Sequence, residues 1–212
     1  MAFALAELFS RTKIVPVAVF NDVQSALATA SILIEESIPL IEITLRTEAA
    51  FDCIEAVSAQ FDGMLVGAGS VLSRESLKRA ADSGAGFGVA PCLDPGLMEY
   101  AAELELPFIP GVATPSELGG ALRAGARLVK VFPAADLGGA AYINAITSPF
   151  KMYDFSLVPT GGISDKNIRE FLAAKHVVAC GASFIVDGAL IEKRDYQAIR
   201  GRIARVRELI SG

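Results

Sequence analysis

The chain has 212 residues, 52% of them hydrophobic, and a net charge of −5. That length is enough for one large domain with a sizeable core, and the apolar content suits a parallel sheet covered on both faces. The acidic balance, with no basic stripe, argues against nucleic acid, and no stretch of about 18 apolar residues offers a membrane span.

The first residues, with Glu7 close behind the leading apolar ones and no basic leader, do not read as a signal peptide. A helix is expected near residues 4–12. From there a unit recurs: a short apolar strand, a small-residue turn, then an amphipathic helix. Strands are expected to begin near Ile14, Pro39, Met64, Gly86, Pro107, Leu128, Leu157 and Val177. Most lie about 20 to 25 residues apart, as βα units do, with one longer gap before Leu157. Between them, Val23, Leu27, Ala30 and Ile34 recur at helical spacing, and Ser73 is a candidate N-cap. Thr114-Pro115-Ser116-Glu117 reads as a capping box with proline at the first helical position. Ser164 is another candidate N-cap, and Ile199, Ile203, Val206 and Ile210 mark a closing helix.

Strands alternating with helices suit either a closed (β/α)8 barrel or an open doubly wound sheet. No G-x-G-x-x-G follows the first strand, which weakens the dinucleotide-binding alternative. The near-even repeat favours an α/β TIM barrel with an extra N-terminal helix, occupying residues 1–212 as a single domain.

Cys53, Cys92 and Cys180 form neither a disulfide framework nor a zinc pattern, so a reducing, cytoplasmic setting is expected. His176 is the only histidine, which excludes a metal site built on several imidazoles. It sits at a helix-to-strand junction and reads as structural. No metal and no cofactor is expected.

In a barrel the active site lies at the C-terminal ends of the strands, and the polar and glycine-rich residues fall there one strand after another. IEITLRTE (41–48) places Glu42 and Thr44 on one strand face and Ile41, Ile43 and Leu45 on the other. With the apolar face on helices, Glu42 points inward. Arg46, just past the strand, is suited either to grip a substrate carboxylate or to lie on the surface. GAGSVL (67–72) offers Ser70 and nearby backbone N–H groups to an anion, or is an ordinary turn. VAPC (89–92) and PGVATPSE (110–117) end the next two strands.

VKVFPA (129–134) carries the most informative residue. Lys130 stands in a short apolar run, where an ammonium group is costly unless paired or neutral, and a neutral amine attacks carbonyl carbon. The bland alternatives are a lysine that snorkels to water and a buried Glu42–Lys130 pair without chemistry. Phe132 shares the face of Lys130 and either walls the pocket or belongs to the core. PTGGIS (159–164) and CGASF (180–184) follow, with Thr160, Gly161, Gly162 and Ser183 at the loops where many barrels bind phosphate.

In this order the motifs IEITLRTE, GAGSVL, PGVATPSE, VKVFPA and PTGGIS resemble those of the bacterial 2-keto-3-deoxy-6-phosphogluconate (KDPG) and 4-hydroxy-2-oxoglutarate (KHG) aldolase family, across nearly the whole chain. The resemblance implies a class I aldolase on a (β/α)8 barrel, usually a homotrimer, acting on small keto acids with pyruvate as a product. It implies Lys130 as the Schiff-base residue, Glu42 as proton shuttle, and Arg46 and Ser70 as holders of the pyruvyl carboxylate. Thr160, Gly161, Gly162 and Ser183 would line the phosphate side, Phe132 and Pro91 would shape the pyruvyl pocket, and Thr114 would line it.

Departures are visible. Relatives usually read Ser-Pro-Gly where this chain has Ala90-Pro91-Cys92, and some carry an arginine on the first strand where PVAVFND (16–22) has none. Asp187 after the last strand weakens phosphate binding if it faces the site. Rival readings are the same chemistry on another 2-keto-4-hydroxy acid, such as the galactonate epimer, and a non-catalytic barrel that binds small anions.

Overall fold

A computed structural model describes residues 2–210, so Met1, Ser211 and Gly212 of the expected 1–212 span lie outside the described residues. Its first half runs α1 (Ala2–Thr12), β1 (Ile14–Ala18), α2 (Val23–Glu35), β2 (Leu40–Thr44), α3 (Ala50–Gln60), β3 (Leu65–Gly69), α4 (Arg74–Asp82), β4 (Phe87–Val89) and α5 (Pro95–Glu103). It continues with β5 (Phe108–Ile109), β6 (Gly111–Val112), α6 (Pro115–Arg123), β7 (Leu128–Val131), α7 (Gly139–Thr147) and β8 (Ser156–Pro159). It closes with α8 (Ile168–Leu172), β9 (Cys180–Ala182), α9 (Gly188–Glu192) and α10 (Tyr196–Ile210). No described helix is long and apolar enough to cross a membrane.

Every strand pairing is parallel, and the strands form two arcs. One has the order β5-β4-β3-β2-β1-β9 and the other β6-β7-β8. The expected single ring of eight strands is therefore interrupted at two places. Between β5 and β6 stands Pro110, which has no N–H to donate, although its carbonyl accepts Lys130 N–H at 2.9 Å. Between β8 and β9 the pairing is reduced to the isolated parallel bridges Leu157–Val177 and Thr160–Gly181.

Apolar runs covered on both faces explain why these segments are strands. Ile41 and Ile43 of β2, and Leu128, Val129 and Val131 of β7, are buried, as are the helix residues Leu33, Ile54, Leu77 and Leu122 that cover the sheet. Asp22 caps α2 by accepting Ser25 N–H at 2.8 Å, and Ser73 and Thr114 head capping boxes on α4 and α6 as expected. Ser164 caps the turn that leads into α8, its Oγ accepting Lys166 N–H at 3.3 Å and its carbonyl accepting Ile168 N–H at 3.0 Å, while the regular helix begins beyond Asn167. The strand expected near Val177 is regular only from Cys180, because Val177 and Val178 follow a turn at His176 whose φ is +67°.

Candidate active site

Lys130 and Glu42 come from opposite parts of the chain and meet inside the sheet. Lys130 Nζ lies 3.5 Å from Glu42 Oε1, and the two residues are 6% and 3% exposed. Removing both charges from water costs several kcal/mol per ion, and their attraction returns only part of it. Apolar residues of the same volume would serve stability better, which makes the pair the candidate reacting groups of the site. Among the described residues Glu42 Oε1 has no hydrogen-bond donor. The Phe132 ring, its centroid 5.4 Å from Lys130 Nζ, stands on one side of the amine.

Glu42 owes its position to Gly69. The two adjoining strands pair Glu42 with Gly67 and Thr44 with Gly69. A Cβ on Gly69 would fall 2.8 Å from Glu42 Cδ and closer still to Oε1. The carboxyl therefore leans along its strand toward the C-terminal mouth of the sheet, into space the glycine leaves open. Pro91 is placed by a similar close approach. Gly111, the register partner of Lys130, has the Ala90 carbonyl oxygen 2.7 Å from where its Cβ would stand, with the Pro91 carbonyl nearer still.

At the mouth, Arg46 Nε donates to Ser70 Oγ at 3.2 Å. Arg46 is exposed, which leaves its guanidinium free to face a ligand in solution. Ser70 has φ +59°, a left-handed turn directly after β3 that swings its hydroxyl toward Arg46.

Of the phosphate-side candidates, Thr160, Gly161 and Gly162 follow β8 on the other arc, and Ser183 follows β9 of the first arc, which the Thr160–Gly181 bridge brings beside them. Thr160 N–H donates to Val131 O at 2.9 Å, while Ala134 N–H and Ala135 N–H donate to the carbonyls of Thr160 and Gly161 at 2.8 and 3.0 Å. These bonds lace the loop after Lys130 onto Thr160-Gly161-Gly162. Gly161 and Gly162 have φ +94° and +70°, which side chains resist, and a Cβ on Gly161 would press on the Phe132 ring at 3.2 Å. Gly162 and Ser183 are exposed. Asp187 accepts Ala189 N–H at 2.9 Å as the cap of α9 and lies 3.5 Å from Arg202 of α10. Its charge is thus opposed by a guanidinium. Arg205, one turn on, pairs with Asp165 at 2.9 Å, so α10 ties down both loops.

Thr114 differs from the rest. It is exposed, and its hydroxyl donates to Glu117 Oε2 at 2.9 Å within the α6 cap. His176 stacks on Phe155 with centroids 4.2 Å apart, its Nδ1 3.2 Å from the Phe155 carbonyl, as a structural histidine does. Sequence reasoning missed Gly69 as the residue that makes room for Glu42, reading the GAG run only as a turn beside Ser70. It also passed over Thr44, whose inward face was legible from its alternation with Ile43. Among the described residues no group of three or more His, Cys, Asp or Glu side chains gathers as a metal site.

The chain resembles known proteins along most of its length. The family model described as KDPG and KHG aldolase matches residues 5–202. A 2-dehydro-3-deoxy-phosphogluconate aldolase of Haemophilus influenzae is 38% identical over 95% of this chain and 93% of its own. A KHG/KDPG aldolase of Escherichia coli K12 is 38% identical over 88% of this chain and 86% of its own. A crystal structure of KDPG aldolase from Legionella pneumophila, with pyruvate captured at low pH as a covalent carbinolamine intermediate, superposes with a TM-score of 0.88. It is 33% identical and covers 93% of this chain and 95% of that one.

Proposed function

The chain belongs to the KDPG and KHG aldolase family, and from that premise we propose that it cleaves 2-keto-3-deoxy-6-phosphogluconate to pyruvate and glyceraldehyde 3-phosphate through a Schiff base on Lys130. The same chemistry on 4-hydroxy-2-oxoglutarate gives pyruvate and glyoxylate. The observation that carries this reading is the buried Lys130–Glu42 pair at 3.5 Å.

The Lys130 amine adds to the C2 keto carbon, and loss of water leaves an iminium. The iminium draws electrons from the C3–C4 bond as Glu42 takes the proton of the C4 hydroxyl, so the bond breaks to an aldehyde and an enamine. Glu42 then returns a proton to C3, and water releases pyruvate. Phe132 and Pro91 bound the pyruvyl pocket. Arg46, braced by Ser70, binds the substrate carboxylate, since a guanidinium matches a carboxylate with two parallel donors. Gly161, Gly162 and Ser183 take the phosphate through backbone N–H groups in the turn after β8 and the loop after β9, and Thr160, whose N–H is spent on Val131 O, lines the same side with its side chain. Thr114 lines the pyruvyl pocket at its rim.

The reading extends to architecture. The bridges Leu157–Val177 and Thr160–Gly181, with the carbonyl of Pro110 bonded to Lys130 N–H, support closure of the two arcs into a (β/α)8 barrel forming a single domain. A homotrimer in the cytoplasm is the setting that the resemblance to the family supports.

Borohydride reduction in the presence of pyruvate tests the chemistry. The expected result is a stable adduct on the Lys130 peptide by mass spectrometry, absent in Lys130→Ala. An unmodified Lys130 would contradict the proposal.

A further inference from the structure

Thr44 closes β2, two residues past Glu42 and on the same inward face. It is 2% exposed, and its hydroxyl oxygen, like Glu42 Oε1, is buried with no hydrogen-bond partner among the described residues. A buried hydroxyl without a partner costs stability, and a valine of nearly the same shape would remove the cost. Retaining threonine here points to something the hydroxyl does.

The strand register says where it acts. On β3, the partner of Glu42 is Gly67, whose empty side is filled by the Phe87 ring, with Cε1 2.6 Å from where a Cβ would stand. The partner of Thr44 is Gly69, whose empty side is filled by the Glu42 carboxyl. The Glu42 head therefore reaches the layer of Thr44, one strand spacing of about 5 Å away. Two groups so placed do not bond each other directly, but both can bond one oxygen between them.

We propose that Thr44 is a further catalytic residue, whose hydroxyl and Glu42 together hold the C2 oxygen of the substrate while Lys130 adds to the carbonyl. The inference rests on the aldolase reading above. Glu42 takes a proton from the Lys130 ammonium, and the freed amine lone pair forms the N–C2 bond as the carbonyl pair moves to oxygen. Glu42 delivers its proton to that oxygen and takes a second from the nitrogen. It then gives the second proton to the new hydroxyl, the C2–O bond breaks, water leaves, and the nitrogen lone pair closes the C=N bond. Thr44 transfers no proton. Its O–H donates to the C2 oxygen while negative charge grows there and keeps that oxygen facing Glu42.

The experiment follows iminium formation directly, by timed borohydride trapping with pyruvate and by exchange of the pyruvate methyl protons in deuterium oxide. Thr44→Val is expected to slow both by about ten- to a hundredfold, the value of one hydrogen bond to a charged group. Half-saturating pyruvate stays within about twofold, because the carboxylate grip is elsewhere. Thr44→Ser restores most of the rate, and the melting temperature of Thr44→Val equals or exceeds that of the wild type. Should Thr44→Val not fold, Thr44→Ala replaces it with the same expectation for rate. Rates in the valine or alanine variant equal to the wild type overturn the proposal, as does a serine variant as slow as valine. A wild type that traps no adduct overturns the aldolase reading and this inference together, a result distinct from normal trapping in both Thr44 variants.

Discussion

The carboxyl of Glu42 fills the space that any side chain on Gly69 would need, its Cδ 2.8 Å from the position of a Cβ there. One backbone position on β3 thus sets the reach of an acid carried by β2. Gly69→Ala forces the carboxyl away from Lys130 while leaving Glu42 and Lys130 both in the chain. The expected outcome is a fall in kcat of roughly 10- to 100-fold, since a small misplacement at a reacting centre has effects of that size. Gly67→Ala instead meets the Phe87 ring and is expected to destabilise the fold by about 1–3 kcal/mol, as overpacking does. Steady-state kinetics and urea denaturation of the two variants separate the roles.

Breaking the buried pair from one side is expected to be worse for stability than removing it whole. Lys130→Met leaves the Glu42 carboxylate without its cation and costs about 3–5 kcal/mol, whereas Lys130→Met with Glu42→Gln recovers much of that loss. Both are inactive. A double-mutant cycle in urea measures the coupling, and additivity of the two substitutions would contradict a direct interaction at this separation.

The three cysteines are expected to differ sharply toward thiol reagents. Burial pushes the Cys53 thiol up to about 11, with nearby Asp22 and Asp52 adding to the rise, and burial alone pushes Cys180 up to about 12. Neither forms thiolate at pH near 8, and both are shut from reagent. Cys92 is exposed at the end of β4. Titration with a coloured disulfide is expected to show one fast equivalent per chain, with two more only on unfolding.

The loop that opens α6 is expected to loosen in acid. The backbone N–H of Ala113, at 2.8 Å, is the main cause holding the Glu117 carboxyl below its ordinary range, with Thr114 adding to it. A carboxyl held low in the fold contributes stability that is complete above its unfolded pKa and is lost as pH falls through the lower folded one. Thermal melts of the wild type and Glu117→Gln are expected to differ near neutrality by the worth of a cap, about 0.5–2 kcal/mol, and to converge in acid.

Much of this site is legible before any coordinates. Lys130 is conspicuous because a charge in a run of β-branched and aromatic residues has few innocent explanations, and Glu42 because alternation with Ile41 and Ile43 fixes its face. The reach of Glu42 is not legible, since it depends on Gly69 lying beside Thr44, and register between separate strands is written in packing and not in local spacing. Thr44 was hidden by being an ordinary strand residue, whose unpaired hydroxyl emerges only when its neighbours are placed. The even repeat gave the strand count in outline. It did not show that Pro110 divides one strand in two, nor that the turn opened by Ser164 runs on to Asn167 before α8 becomes regular.

The first strand hydrogen-bonds to the last: Ile14 pairs with Cys180, and Cys180 N–H donates to Lys13 O at 2.9 Å. On a ribosome, the flank of β1 that awaits Cys180 stays unprotected until every element between them has emerged. Such long-range pairing makes for slow folding and a prolonged exposure of sticky backbone. Nascent chains stalled before the final strand should therefore be chaperone clients, while released chains should not.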